Sequence, residues 1–93
     1  FKMKLADILP EKEIKEAVLG EYEKKVVLYK FTDEQLKRKY KMSFKEFDEK
    51  NVVREKGFSW DVEQDAMNWE HAIEGIRHLG KKIRKIKALN AEN

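Results

Sequence analysis

With 93 residues, a charged fraction of 42%, a net charge of +3 and no cysteine, the chain reads as one small, nearly charge-balanced domain. Disulfides, thiolate metal sites and cysteine catalysis are excluded, and a catalytic domain with its own cofactor fold has no room. A hydrophobic share of 41% with 11% aromatics exceeds what a disordered chain carries, so the sequence is expected to fold.

No apolar run approaches the roughly 18 residues of a membrane span, and no signal-peptide pattern is present; no membrane contact and a cytoplasmic address are the expectation. The excess of Lys and Glu over Gln, with Cys absent, accords with a thermophilic source. Met3 reads as a natural start, and Ala91, Glu92 and Asn93 as the head of an expression tag. Neither end enters the functional reading.

A single Pro and four Gly leave little from which hairpins could be built, and the chain reads as helical. Pro10 with Glu11, Lys12 and Glu13 suits a first turn, after which Ile14, Ala17, Val18 and Tyr22 recur at helical spacing. Val26, Val27, Leu28 and Tyr29 also suit a strand, but a lone strand has no mate here, and helix is the expectation. Thr32 with Gln35 and Ser43 with Glu46 each match a reciprocal capping pair. The second predicts a short helix from Phe44 to about Val52, and Ser59 is the candidate cap of a long final helix from Trp60 to Leu89.

In that final helix Val62, Trp69, Ile76 and Ile83 recur every seven residues, with Ala72, Leu79 and Ile86 between them and Asp65 as the one break. At about 45 Å it looks too long for the rest of the chain to cover. Its charge is divided: residues 60–76 carry acids and no base, residues 77–89 bases and no acid.

Few patterns here carry chemistry. His71, Glu74 and His78 share one helix face, but a closed metal site wants four ligands and no further His or Cys exists to supply one; no metal, no cofactor and no catalytic residue is assigned, and an enzyme is not expected. Lys81, Lys82, Arg84, Lys85 and Lys87 form a possible nucleic-acid contact through counterion release, or simply complement the helix dipole.

Two stretches carry a resemblance: Lys37 through Phe47, with Tyr40, Met42, Ser43, Phe44 and Phe47, and Phe58 through Glu70, with Trp60 and Trp69. They resemble small prokaryotic antitoxin-like proteins, in which a basic helix end precedes Tyr-Gly-Met-Ser-Phe/Leu-x-x-Phe and an acidic segment leads into a Trp-centred helix. The resemblance covers roughly residues 28–79. It implies a helix-turn-helix corner in which Tyr40 closes one helix, Ser43 caps the next and Met42 and Phe47 pin it, and a partner, a toxin encoded nearby, that the protein neutralises by covering its surface. Lys41 stands where that pattern has Gly, so a left-handed turn there would cost about 1 kcal/mol.

The expected fold is all-α: an antiparallel helical hairpin with a short connecting helix and a long C-terminal helix. It forms one domain over 1–93, with 1–27 an N-terminal extension, 28–79 the antitoxin-like region and 80–90 a basic helix end. The expected function is a protein–protein interaction module, with nucleic-acid binding as the alternative. Trp69, Ile76, Leu79, Ile83 and Ile86 are the expected interface, pairing two copies as an antiparallel, coiled-coil-like homodimer centred near Ile76, its orientation chosen by the divided charge; the rival is that the first helix covers the whole stripe within one chain as core.

Overall fold

In a computed structural model of the chain, residues 10–91 are described. Among these residues four helices follow one another: α1 (Glu11–Tyr40), α2 (Phe44–Glu49), α3 (Val52–Glu55) and α4 (Trp60–Ala91). The two long helices lie antiparallel and pack together while the short ones cross one end, giving an all-α helical hairpin with extents of 57 × 33 × 17 Å. No described helix is long and apolar enough to cross a membrane. The expected start at Met3, and Glu92 and Asn93 of the expected tag, lie outside the described residues; Ala91 still belongs to α4.

α1 is continuous through the strand-like Val26 to Tyr29 run and through Gly20. Packing against α4 supplies what intrinsic propensity leaves undecided there. Glu11 and Glu13 stand in its first turn and Lys37, Arg38 and Lys39 in its last, each end complementing the helix dipole. The capping pair read at Thr32 and Gln35 is overturned, because Thr32 lies inside the helix and its hydroxyl donates to the Leu28 carbonyl at 3.3 Å. A threonine hydroxyl is satisfied by the preceding turn as readily as by a cap.

The reversal between the long helices uses left-handed residues at each corner. Lys41 ends α1 at φ 56°, ψ 39°, and Asn51 stands between α2 and α3 at φ 50°. Ser43 caps α2 by accepting from the Glu46 amide at 3.2 Å. The single connector expected over 44–52 is therefore two short helices, broken where Asn51 turns left-handed. α3 closes with the Phe58 amide donating to the Val53 carbonyl at 2.9 Å and the Gly57 amide to the Arg54 carbonyl at 3.0 Å. That nested pair is the glycine-assisted helix stop. Ser59 then accepts from the Val62 amide at 3.4 Å and opens α4.

The core sits at this closed end. Leu36, Phe47, Val52 and Trp69 are buried, wrapped by half-buried Tyr40, Met42, Phe44, Val53, Val62, Ala66 and Ile73. Trp69 is fully buried, with Phe47 at 5.1 Å, Phe44 at 5.5 Å and Tyr40 at 6.0 Å between ring centroids. Burying rings of this size contributes more than any other single element of so small a core.

Residues 11–27, read both as the start of a first helix and as an extension of the antitoxin-like region, are the first half of α1 and run beside the last half of α4. Both long helices pass from acidic to basic along the chain. In α1 residues 11–23 carry Glu11, Glu13, Glu16, Glu21 and Glu23 against Lys12 and Lys15, and residues 24–40 carry Lys24, Lys25, Lys30, Lys37, Arg38 and Lys39 against Asp33 and Glu34, so the antiparallel arrangement sets a net-acidic half beside the basic half of α4 and a net-basic half beside its acidic half within one chain. The divided charge of α4 thus finds its complement in α1.

A candidate interaction site at the closed end

Two polar clusters fix the aromatic corner. The Trp69 indole N–H donates to Asp33 Oδ1 at 2.8 Å, and Lys37 pairs with Asp33 Oδ2 from one turn further along α1 at 3.3 Å. Asp33 thereby binds the centre of α4 to the face of α1 that carries Leu36 and Tyr40.

Asp65, the break in the heptad stripe, is the second. Its carboxylate receives the Tyr40 hydroxyl and the Lys39 ammonium, each at 2.5 Å. An inward-facing acid among apolar residues is tolerable because both donors reach it. Burial would lift the Asp65 carboxyl, but the hydrogen bonds from Lys39 and Tyr40 outweigh it and hold the group below its ordinary 3.8. Burial, and then the bond to Asp65, push the Tyr40 phenol well above its ordinary 10.0.

The corner residues Tyr40, Met42, Ser43, Phe44 and Phe47 are brought together here, Ser43 as a cap and the others around Trp69. Assigning Trp69 to an interface is corrected: it is wholly inside the chain's own core. Ile76, Leu79, Ile83 and Ile86 are half-buried, and α1, at 30 residues against 32 in α4, is long enough to cover the stripe from within. The first helix read from Pro10 onward thus has the length to match α4.

His71 and His78 are exposed. His71 meets the Tyr29 ring edge-on, with centroids 5.4 Å apart and Tyr29 Oη 3.4 Å from His71 Nε2. The missing side chain of Gly75 is what admits that ring, since a Cβ there would overlap it. Among the described residues no group of three His, Cys, Asp or Glu is placed to hold a metal. Lys81, Lys82, Arg84, Lys85 and Lys87 are all exposed on the open half of α4, with the Lys82 ammonium 5.6 Å from the Tyr22 ring centroid.

Phe58, Trp60 and Met67 form the feature that sequence reasoning passed over. All three are 61% to 73% exposed, Phe58 in the turn before α4, Trp60 at its first residue and Met67 two turns further along. Trp60 and Met67 are seven residues apart and share the side of α4 turned from the hairpin seam. Phe58 holds φ at 55°, a strained conformation for a bulky residue, and the hydrogen bond its N–H donates to the Val53 carbonyl secures it there. A signal was present in the sequence: Trp60 and Met67 fall on the face opposite Val62, Trp69 and Ile76. Comparisons with protein-family models, with characterised proteins and with solved structures each found no match.

Proposed function

We propose that the chain is a non-enzymatic protein–protein interaction module of the antitoxin-like kind, which neutralises a partner encoded nearby by occupying its surface. The observation that carries this reading is the exposed Phe58, Trp60 and Met67 patch, mounted on a hydrogen-bonded turn beside a rigid aromatic core. Large exposed aromatics on a firm scaffold are what binding anchors look like, because little ordering entropy remains to be lost on docking. The sequence resemblance over residues 28–79 supplies the partner class.

Co-expression with the product of the adjacent gene, followed by co-purification and a growth assay, tests it. The wild type should co-purify and restore growth, and the double variant Phe58→Ser, Trp60→Ser should fold but lose both. Separation of the wild-type pair under gentle conditions with no rescue of growth would count against the antitoxin reading.

Nucleic-acid binding through Lys81, Lys82, Arg84, Lys85 and Lys87 keeps one point in its favour, the exposure of all five. The acidic first half of α1 beside them works against it by weakening the local positive field. Binding of a random duplex across a salt series decides: a steep fall with salt supports this second reading, and no binding at low salt removes it.

A further inference from the structure

α1 carries a second apolar stripe, on the side turned away from α4. At about 100° per residue, Phe31 projects about 180° from Tyr22 and Tyr40. Val27, one turn earlier, and the neighbouring Leu28 share this outer side, and all three are 61% to 65% exposed. The hairpin itself gives no reason for bulky apolar residues there. Two turns toward the N-terminus the same side turns small: Ala17 and Gly20 are exposed, and a Cβ on Gly20 would meet nothing within 4 Å. A shallow hollow of about 410 Å³ opens over Ala17, Gly20, Glu21, Glu23, Lys24 and Val27. One helix face thus bears bulk at one end and a recess at the other.

We propose that this face binds a second copy of the chain, α1 against α1 in antiparallel sense about a two-fold axis near Lys24, so that two hairpins form a four-helix assembly. A two-fold contact requires a self-complementary surface. An axis near Lys24 sets Phe31 of each copy opposite Ala17 of the other, and Leu28 opposite Gly20. The same arrangement lays the net-acidic first half of α1 along the net-basic second half of its mate; the two Lys24 ammoniums meet at the axis, each offset by Glu21 of the other copy within its reach. A parallel pair would press Phe31 on Phe31, leave recess facing recess and put like charges together. This surface is distinct from the α4 stripe, which α1 covers, and from the Phe58, Trp60 and Met67 patch, which stays free for another partner. Because the contact is confined to one helix face, its affinity is expected to be on the order of micromolar.

Sedimentation of the full chain from about 1 µM to about 500 µM tests the proposal, with helix content followed by circular dichroism. The wild type should pass from monomer to dimer over this range. Phe31→Asp and Gly20→Gln should each weaken the dimer at least about tenfold without loss of helix. Gly20→Gln enters open space in the single chain and replaces a poor helix former with a good one, so unfolding cannot account for its effect. A spin label on Lys12→Cys should report a separation of about 36 Å across an antiparallel dimer centred at residue 24. A wild type that stays monomeric throughout, a dimer that survives both substitutions, or a short label distance overturns the proposal.

Discussion

Asp33 and Trp69 meet across the hairpin, the indole N–H donating to the carboxylate at 2.8 Å, and they are the point at which the two long helices are locked in register. The bond is charge-assisted and lies next to a fully buried ring. Asp33→Ala should cost about 1–3 kcal/mol, because the indole donor is left without an acceptor. Asp33→Asn, which keeps an acceptor oxygen, should cost less than half as much. Urea denaturation reads both, as a lower midpoint with an unchanged slope; equal losses would show that charge, and not the hydrogen bond, is what Trp69 needs.

Stability should depend on pH at both extremes through Tyr40 and Asp65. The Asp65 carboxyl is held below its ordinary 3.8 in the folded chain, so its contribution is present above that value and is lost as the pH falls through the folded-state value. The Tyr40 phenol is raised above its ordinary 10.0, so stability is intact below pH 10.0 and is lost as the pH rises from there, where the unfolded chain ionises first. Asp65→Asn should flatten the acid limb of a melting-temperature profile, and Tyr40→Phe the alkaline one. If neither limb changes, other groups govern the profile.

Lys41→Gly should stabilise the chain by roughly 0.5–1 kcal/mol. The residue holds φ 56°, ψ 39°, where a Cβ costs about 1–2 kcal/mol and glycine's extra freedom in the unfolded state offsets only part of the relief. Thermal melts of the two proteins under one buffer check it, and a lower melting temperature for the glycine variant would contradict the strain assigned to this corner.

Two glycines inside helices should respond to alanine in opposite directions. Gly20→Ala meets open space and should stabilise α1 by about 1 kcal/mol. Gly75→Ala sets a methyl into the Tyr29 ring; the ring must leave His71, and the helix-propensity gain should turn into a net loss of about 1 kcal/mol. Denaturant midpoints at concentrations too low for self-association measure both, and equal gains would mean Tyr29 is free to move.

The parts of this fold that sequence made legible are those with a local cause. Ser43 caps α2 because its hydroxyl can accept from the Glu46 amide three residues on; the reciprocal half of the expected pair is not made, the Glu46 carboxylate turning to Lys50 at 3.9 Å. The α4 stripe is a periodicity, and it survives in the structure with Trp69 at its buried centre. What stayed hidden depended on a mate distant in sequence. Asp65 looks like a defect until Lys39 and Tyr40 are set beside it. Thr32 looks like a cap until the helix around it proves continuous. Trp69 looks like an anchor for another protein until α1 is seen to run alongside, and the Phe58, Trp60 and Met67 patch needs the seam located before its outward face can be told from the inward one.

The placement of the buried core at one end of the hairpin also sets an order on folding. Contacts across the seam span 25 residues between Tyr40 and Asp65, 36 between Asp33 and Trp69 and 42 between Tyr29 and His71, and the span lengthens toward the open end. The shortest loop costs least entropy to close, and the residues that close it are the ones with the most surface to bury. Zipping is therefore expected to start at the aromatic corner and proceed outward, and amide hydrogen exchange in the native chain should be slowest around Leu36 and Trp69 and fastest toward Glu11 and Leu89.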